Sequence, residues 1–146
     1  MRAVVQRVSR ASVSVGGEIV GSIGPGLFAL VGIRRGDGDP AARWLCDKLL
    51  RLRVFEDGEG KMNRTVAEAG GGILVVSQFT LYGDVRKGNR PGFDEAAPPE
   101  EAEPLYDRMV AYLREISPVP VASGLFRAEM AVELVNEGPV TILLER

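Results

Sequence analysis

Two hydroxyls and a carboxamide fall within four residues at Ser77-Gln78-Phe79-Thr80, directly after the apolar run Ile73-Leu74-Val75-Val76. Gly70-Gly71-Gly72 precedes that run, which reads as a strand buried on both faces. Polar groups at the end of such a strand, with Leu81-Tyr82-Gly83-Asp84 turning away as a loop, stand where sites form in α/β sheets. The same residues would also suit a strand terminus closed by local hydroxyl–backbone hydrogen bonds. The absence of histidine bounds the chemistry. It excludes Ser-His-Asp and Cys-His triads and every histidine metal site. Cys46 is the single cysteine, so there is no internal disulfide and no thiolate pair for zinc. Hydrolysis would have to use carboxylates, Lys, Tyr, backbone dipoles or a group on the substrate itself. Neither metal nor cofactor is expected.

A second cluster lies in Asp84-Val85-Arg86-Lys87-Gly88-Asn89-Arg90-Pro91-Gly92-Phe93. Arg86, Lys87 and Arg90 around Gly and Asn suit phosphate contacts, or equally a solvated loop. Lys61 and Arg64 are further cations within reach of such a role. The formal net charge of −2 gives no global attraction to a polyanion, so any such partner needs a local basic patch.

The elements that must position these residues follow from periodicity. With 146 residues, 45% hydrophobic and 26% charged, the chain suits a single domain, residues 1–146, with a real core. Ala3–Val8 reads as a strand, and Gly16-Gly17-Glu18 as a hairpin turn between Ala11–Val15 and Ile19–Ser22. Leu27–Ile33 is a buried strand, and Arg34-Arg35-Gly36-Asp37-Gly38 a loop. Asp39-Pro40 reads as N-cap and first residue of a helix whose apolar positions are Ala41, Leu45, Leu49 and Leu52. Cys46 falls within that helix with no activating partner. Val54-Phe55 suits a short strand, and Ile73–Phe79 the central one. Pro98-Pro99-Glu100-Glu101 opens a second helix, striped by Ala102, Leu105, Tyr106, Met109, Val110 and Leu113. Val119–Val121, Ala128–Val135 and Val140–Leu144 read as strands, with Asn136-Glu137-Gly138-Pro139 as a turn. The expectation is an α/β fold: one mixed β-sheet in barrel-like layers with two helices, ordered roughly ββ-(βα)2-βββ. The start lacks a secretory apolar block and no run would span a bilayer, so a cytoplasmic protein with no membrane partner is expected.

Three stretches now combine. Met1-Arg2-Ala3-Val4-Val5-Gln6-Arg7-Val8, Ser77-Gln78-Phe79-Thr80-Leu81 and Asn136-Glu137-Gly138-Pro139-Val140-Thr141 together resemble the D-aminoacyl-tRNA deacylase family. The similarity extends to Gly60-Lys61-Met62-Asn63, Arg90-Pro91 and the alternation Phe126, Ala128, Met130. It implies hydrolysis of the ester of D-aminoacyl-tRNA to free tRNA and D-amino acid, for chiral proofreading of translation. L-aminoacyl-tRNA would be excluded. The partners implied are the 3′ end of aminoacyl-tRNA and a second copy of the chain, a homodimer in which Gly138-Pro139 is contributed in trans.

Residue by residue, the resemblance assigns chiral selection to Gly138 and Pro139 through a cis bond whose backbone faces the substrate α-carbon. A main-chain wall of that kind discriminates by exclusion and so admits glycine, which makes mischarged glycyl-tRNA(Ala) an expected substrate. Arg7 would hold a carbonyl of that loop in orientation; its other reading is an ordinary exposed strand arginine. Backbone N–H groups at Phe79 and Thr80 would form an oxyanion hole, with the ribose 2′-OH helping to activate water. Thr80 is a positioning residue rather than a nucleophile, since it lacks a base; Ser77 and Gln78 orient the strand end and the ribose. Phe126 and Met130 would pack around the terminal adenosine, or else belong to the core. Gly92, Arg127 and Glu137 depart from the family's commoner residues, and Arg127 could change contacts to the adenosine or acceptor stem. Two other classes remain in view: a non-enzymatic RNA-binding module on the same fold, and a trans Gly-Pro relative of different chirality preference.

Overall fold

The computed structural model describes residues 1–146. A 14-residue strand, β1 (Arg2–Val15), runs the length of the molecule. It turns through Gly16 and Gly17, both at positive φ, into β2 (Glu18–Ile23). β3 (Gly26–Gly32) returns antiparallel to the first half of β1, pairing Arg2 with Gly32 and Val8 with Gly26. Helix α1 (Asp39–Arg51) and the small hairpin β4 (Phe55–Glu56) and β5 (Met62–Arg64) lead to β6 (Gly72–Ser77). β6 lies parallel to β3. Their first pair, Gly26 and Gly72, is so close that a Cβ on Gly26 would lie 2.0 Å from the Gly72 carbonyl oxygen. Helix α2 (Pro99–Ile116) then crosses back to β7 (Val121–Ser123), parallel to β6, and β8 (Ala131–Glu145) closes the chain.

The sheet runs β2-β1-β3-β6-β7, with β8 also on β1. β1 is therefore shared: β8 pairs with it along most of its length, while β3 and then β2 take the opposite edge in turn. A register shift between Val8 and Arg10 lets the strand bend where it passes from one partner to the next. The bend curls the sheet into a nearly closed barrel with two cores. The larger lies between the sheet and both helices and takes Val5, Leu27, Val31, Leu45, Ile73 and Met109. The smaller fills the barrel with Val8, Ala11, Val13, Phe28, Leu74 and Val76. The apolar run Ile73–Val76 thus feeds both, odd positions to one and even positions to the other, which is why it reads as continuous rather than alternating.

Several expected boundaries move. Gly38, not Asp39, is the N-cap of α1; Asp39 joins the first turn, and its carboxylate instead accepts a 2.9 Å bond from Arg108 Nε of α2. The central strand stops at Ser77, and Phe79–Tyr82 form a 3-10 turn rather than strand. The segment placed at Val119–Val121 pairs two residues later, at Val121–Ser123. The turn expected at Asn136–Pro139 is not a reversal: β8 continues through it in the same direction against β1, so the two final strands are one. No helix is long and apolar enough to cross a membrane.

Candidate functional site

β6 is buried along Gly72–Val76 and emerges only at Ser77. From α2, the Tyr106 hydroxyl donates a 3.0 Å hydrogen bond to the Val75 carbonyl, and burial pushes that phenol's pKa up. Gln78 N–H donates to Val31 O at 2.7 Å. The chain then winds into the 3-10 turn, where Leu81 N–H donates to Gln78 O and Gly83 N–H to Thr80 O. The N–H groups of Phe79 and Thr80 open this turn and so have no preceding turn carbonyl to accept them. The Gln78 carboxamide donates to the Thr80 hydroxyl, fixing both side chains against each other.

Beside this strand end lies a cavity of about 620 Å³. Ser77, Gln78 and Phe79 form one wall; Ala96, Pro98, Pro99 and Ala102, from the approach to α2 and its first turns, form another. Phe126, Arg127, Ala128, Met130 and Val132 complete it. Phe93 lines it too, edge-on to Phe79 with ring centroids 5.0 Å apart. Phe126 packs against the Tyr106 ring at 5.8 Å and touches the larger core, while Met130 packs on the smaller one. Phe126 and Met130 therefore stand at the edge of the cores, as their core reading expects, and also line the cavity. Thr80 is exposed and does not line the cavity.

The Gly138 segment lies elsewhere. Gln6 pairs with Thr141 and Val8 with Asn136, so four residues, 137–140, bulge out opposite the single residue Arg7. Asn136 closes the neck, its Oδ1 accepting from Val140 N–H at 2.9 Å and its Nδ2 donating to Thr141 Oγ1 at 3.0 Å. Arg7 braces the bulge from within. Only 8% exposed, it donates from Nε to Glu137 O at 3.1 Å and from Nη1 to Val54 O at 2.6 Å. It is not an ordinary exposed strand arginine. The Gly138–Pro139 bond is cis, Gly138 sits at φ +128°, and both residues are exposed. Val132, on the same strand, lines the cavity; Gly138 lies six positions further on, at most about 20 Å along the strand. Across the sheet, Arg7 opposite the bulge pairs with Leu27 and Leu27 with Ile73, two strands over and four positions short of Ser77, so one copy of the chain keeps Gly138 and Pro139 apart from Ser77–Phe79.

Of the expected phosphate contacts, Arg86 is committed to Asp84 through a fork of bonds of 2.7 to 3.0 Å. That pairing pulls the Asp84 pKa down to about 2. Lys87 and Arg90 are exposed in the same loop, outside the cavity lining. Gly60-Lys61-Met62-Asn63 has a local role: Asp57 Oδ1 accepts from Glu59 and Lys61 N–H, and Asn63 donates to Oδ2. Cys46 is fully buried, its thiol within 3.5 Å of Met109 O and its pKa raised to about 12 by burial, so it is no nucleophile. No group of three or more His, Cys, Asp or Glu is placed to hold a metal ion. Sequence reading missed Arg35, Phe93, Ala96, Pro98, Pro99, Ala102 and Val132 as cavity residues. The small residues Ala96-Ala97-Pro98-Pro99 leave room for a cavity, a signal indistinguishable in sequence from a helix start.

Comparison with known proteins adds the rest. The model of a family described as D-Tyr-tRNA(Tyr) deacylase matches residues 4–145. A D-aminoacyl-tRNA deacylase of Symbiobacterium thermophilum is 63% identical over 145 residues, 99% of this chain and 95% of that one. One of Anaeromyxobacter dehalogenans is 62% identical over 99% and 97%. Among solved structures, a protein named c-Myc DNA Unwinding Element Binding Protein superposes with TM-score 0.94 at 46% identity, covering 100% of this chain and 99% of that one.

Proposed function

Because the chain belongs to the D-Tyr-tRNA(Tyr) deacylase family, we propose that it hydrolyses the ester joining a D-amino acid to the 3′ end of tRNA, releasing free tRNA. The observation that carries this reading is the cavity at the end of β6, where Ser77, Gln78 and Phe79 meet Phe126 and Met130. Its apolar walls suit a nucleobase, and the polar strand end suits the ribose and ester. In this reading Phe79 and Thr80 N–H groups stabilise the tetrahedral oxyanion, Ser77 and Gln78 orient the ribose, and the substrate's 2′-OH assists water. The Gln78–Thr80 contact supports Thr80 as a positioning residue.

Chiral selection falls to Gly138 and Pro139 of a second copy. In support, the bulge is exposed, braced by Arg7 and Asn136, and distant from its own cavity. It adjoins a sheet face carrying Leu143, 73% exposed, and Val135, 37% exposed, apolar surface a homodimer would cover. A main-chain wall there excludes an L side chain and admits glycine, so mischarged glycyl-tRNA(Ala) is also cleaved while L-aminoacyl-tRNA is spared. Residues 1–146 act as one domain.

The test is deacylation of matched D- and L-tyrosyl-tRNA by purified protein. Cleavage of the D-ester alone is expected; equal rates, or cleavage of neither, would overturn the reading. A second reading, nucleic-acid binding without cleavage, comes from the solved relative named for binding a DNA element. It predicts binding indifferent to aminoacylation, and the formal charge of −2 gives it no general basic face.

A further inference from the structure

Eighteen residues line the cavity beside β6, and the charged ones among them are Arg35 and Arg127 alone; no acid faces it. In a chain with 20 acidic and 18 basic residues, an opening with cations and no counter-charge marks a place for an anion. Both arginines are exposed, hence at the open side of the cavity rather than its floor. Arg35 is pre-set: its Nε donates to Asp94 O at 2.9 Å, leaving its terminal amino groups without a protein partner. Arg127 has no ion pair or hydrogen bond from its guanidinium, unlike Arg86 with its Asp84. Its backbone sits at φ +61°, a conformation an L-residue adopts at some cost, and this aims it from the wall between Phe126 and Ala128.

We propose that Arg35 and Arg127 form a phosphate-binding pair at the cavity mouth, holding the RNA backbone just 5′ of the terminal nucleotide. The inference rests on the cavity as the seat of that nucleotide. The planar fork of a guanidinium matches a phosphodiester's paired oxygens. The pair does what the loop of Arg86, Lys87 and Arg90 cannot do from outside the cavity: it acts on the phosphates nearest the ester.

The experiment compares kcat/KM for D-tyrosyl-tRNA and for 3′-O-(D-tyrosyl)adenosine, which has no phosphate. The variants are Arg35→Ala, Arg127→Gly and Arg127→Lys; glycine suits the backbone at 127, so Arg127→Gly removes the guanidinium without straining the fold. On the tRNA substrate Arg35→Ala and Arg127→Gly should each lose roughly threefold to tenfold more than on the adenosine ester, through KM. The slope of log(kcat/KM) against log[salt] on tRNA should shrink by about 0.7 for each. Arg127→Lys should keep most of that slope. Losses equal on the two substrates with an unchanged slope would overturn the pair while leaving the cavity in place. Where the adenosine ester reacts too slowly to measure, the slope decides alone. Ala128→Trp, which fills the cavity, should abolish cleavage of both; full activity in that variant would overturn the cavity reading and the pair with it.

Discussion

Replacing Arg7 by Met keeps most of the side chain's volume and removes the donors that brace residues 137–140. Two acceptors lose their partners, and they differ. Val54 is only 5% exposed, so its carbonyl bears nearly the whole cost of an unmet buried hydrogen bond, about 1–3 kcal/mol. Glu137 is exposed, and water can replace the guanidinium at its carbonyl, leaving a loss of roughly 0.5–1.5 kcal/mol. Against these stands the recovered desolvation of a buried cation, which offsets part of the sum. A net destabilisation of about 1–3 kcal/mol follows, on the order of 3–10 °C in Tm for a chain of this size. Urea unfolding measures the first quantity and calorimetry the second. Amide exchange resolves the mechanism: Val140 N–H, held by Asn136 at 2.9 Å, should exchange faster relative to core amides such as Val75. Preference for D- over L-tyrosyl-tRNA should fall in the same variant. A loss below about 0.5 kcal/mol with unaltered exchange at Val140 would refute Arg7 as the brace.

Gly138→Ala would put a Cβ 2.8 Å from Val140 Cγ2 and 3.1 Å from Arg7 Nη2 at φ +128°; a destabilisation of about 1–3 kcal/mol is expected by urea titration, with loss of D-substrate cleavage. Thr80→Ala should keep most kcat, because a positioning hydroxyl is less costly to lose than a nucleophile; complete loss with intact fold and binding would assign the side chain a direct chemical role. Cys46 should resist alkylation by iodoacetamide at pH 8 in the native protein and react promptly in urea, since burial raises its pKa to about 12. Asp84 titrates at about 2 against an ordinary 3.8 because Arg86 holds its charged form. The Asp84–Arg86 pairing is therefore complete above about pH 4 and lost as pH falls through 2. In Arg86→Ala the Asp84 carboxyl, followed by carbon-detected NMR, should titrate higher than in the parent yet stay below its ordinary value, because the N–H of residue 86 still donates to Oδ1.

How much of this was legible in the chain depends on the range of the forces involved. The two helices, the Gly16-Gly17 hairpin and the buried run Ile73–Val76 rest on side-chain periodicity and turn chemistry, which act over a few residues, and they stand close to where the sequence places them. The motifs Ser77–Thr80 and Gly138-Pro139, and with them the family, were also visible. Local chemistry misplaced Asp39 by one position because its carboxylate is taken by Arg108 of the other helix, a partner 69 residues away. It read Asn136–Pro139 as a reversal because Gly-Pro ordinarily ends a strand, whereas a long partner strand carries the pairing past the bulge on both sides. The burial of Arg7, the distance of Gly138 from its own cavity, and the meeting of Arg35 and Arg127 at one opening are tertiary facts. They arise where β1, β8 and the segments flanking α2 converge, and no spacing along the sequence encodes which side chains will share a wall once the sheet has curled.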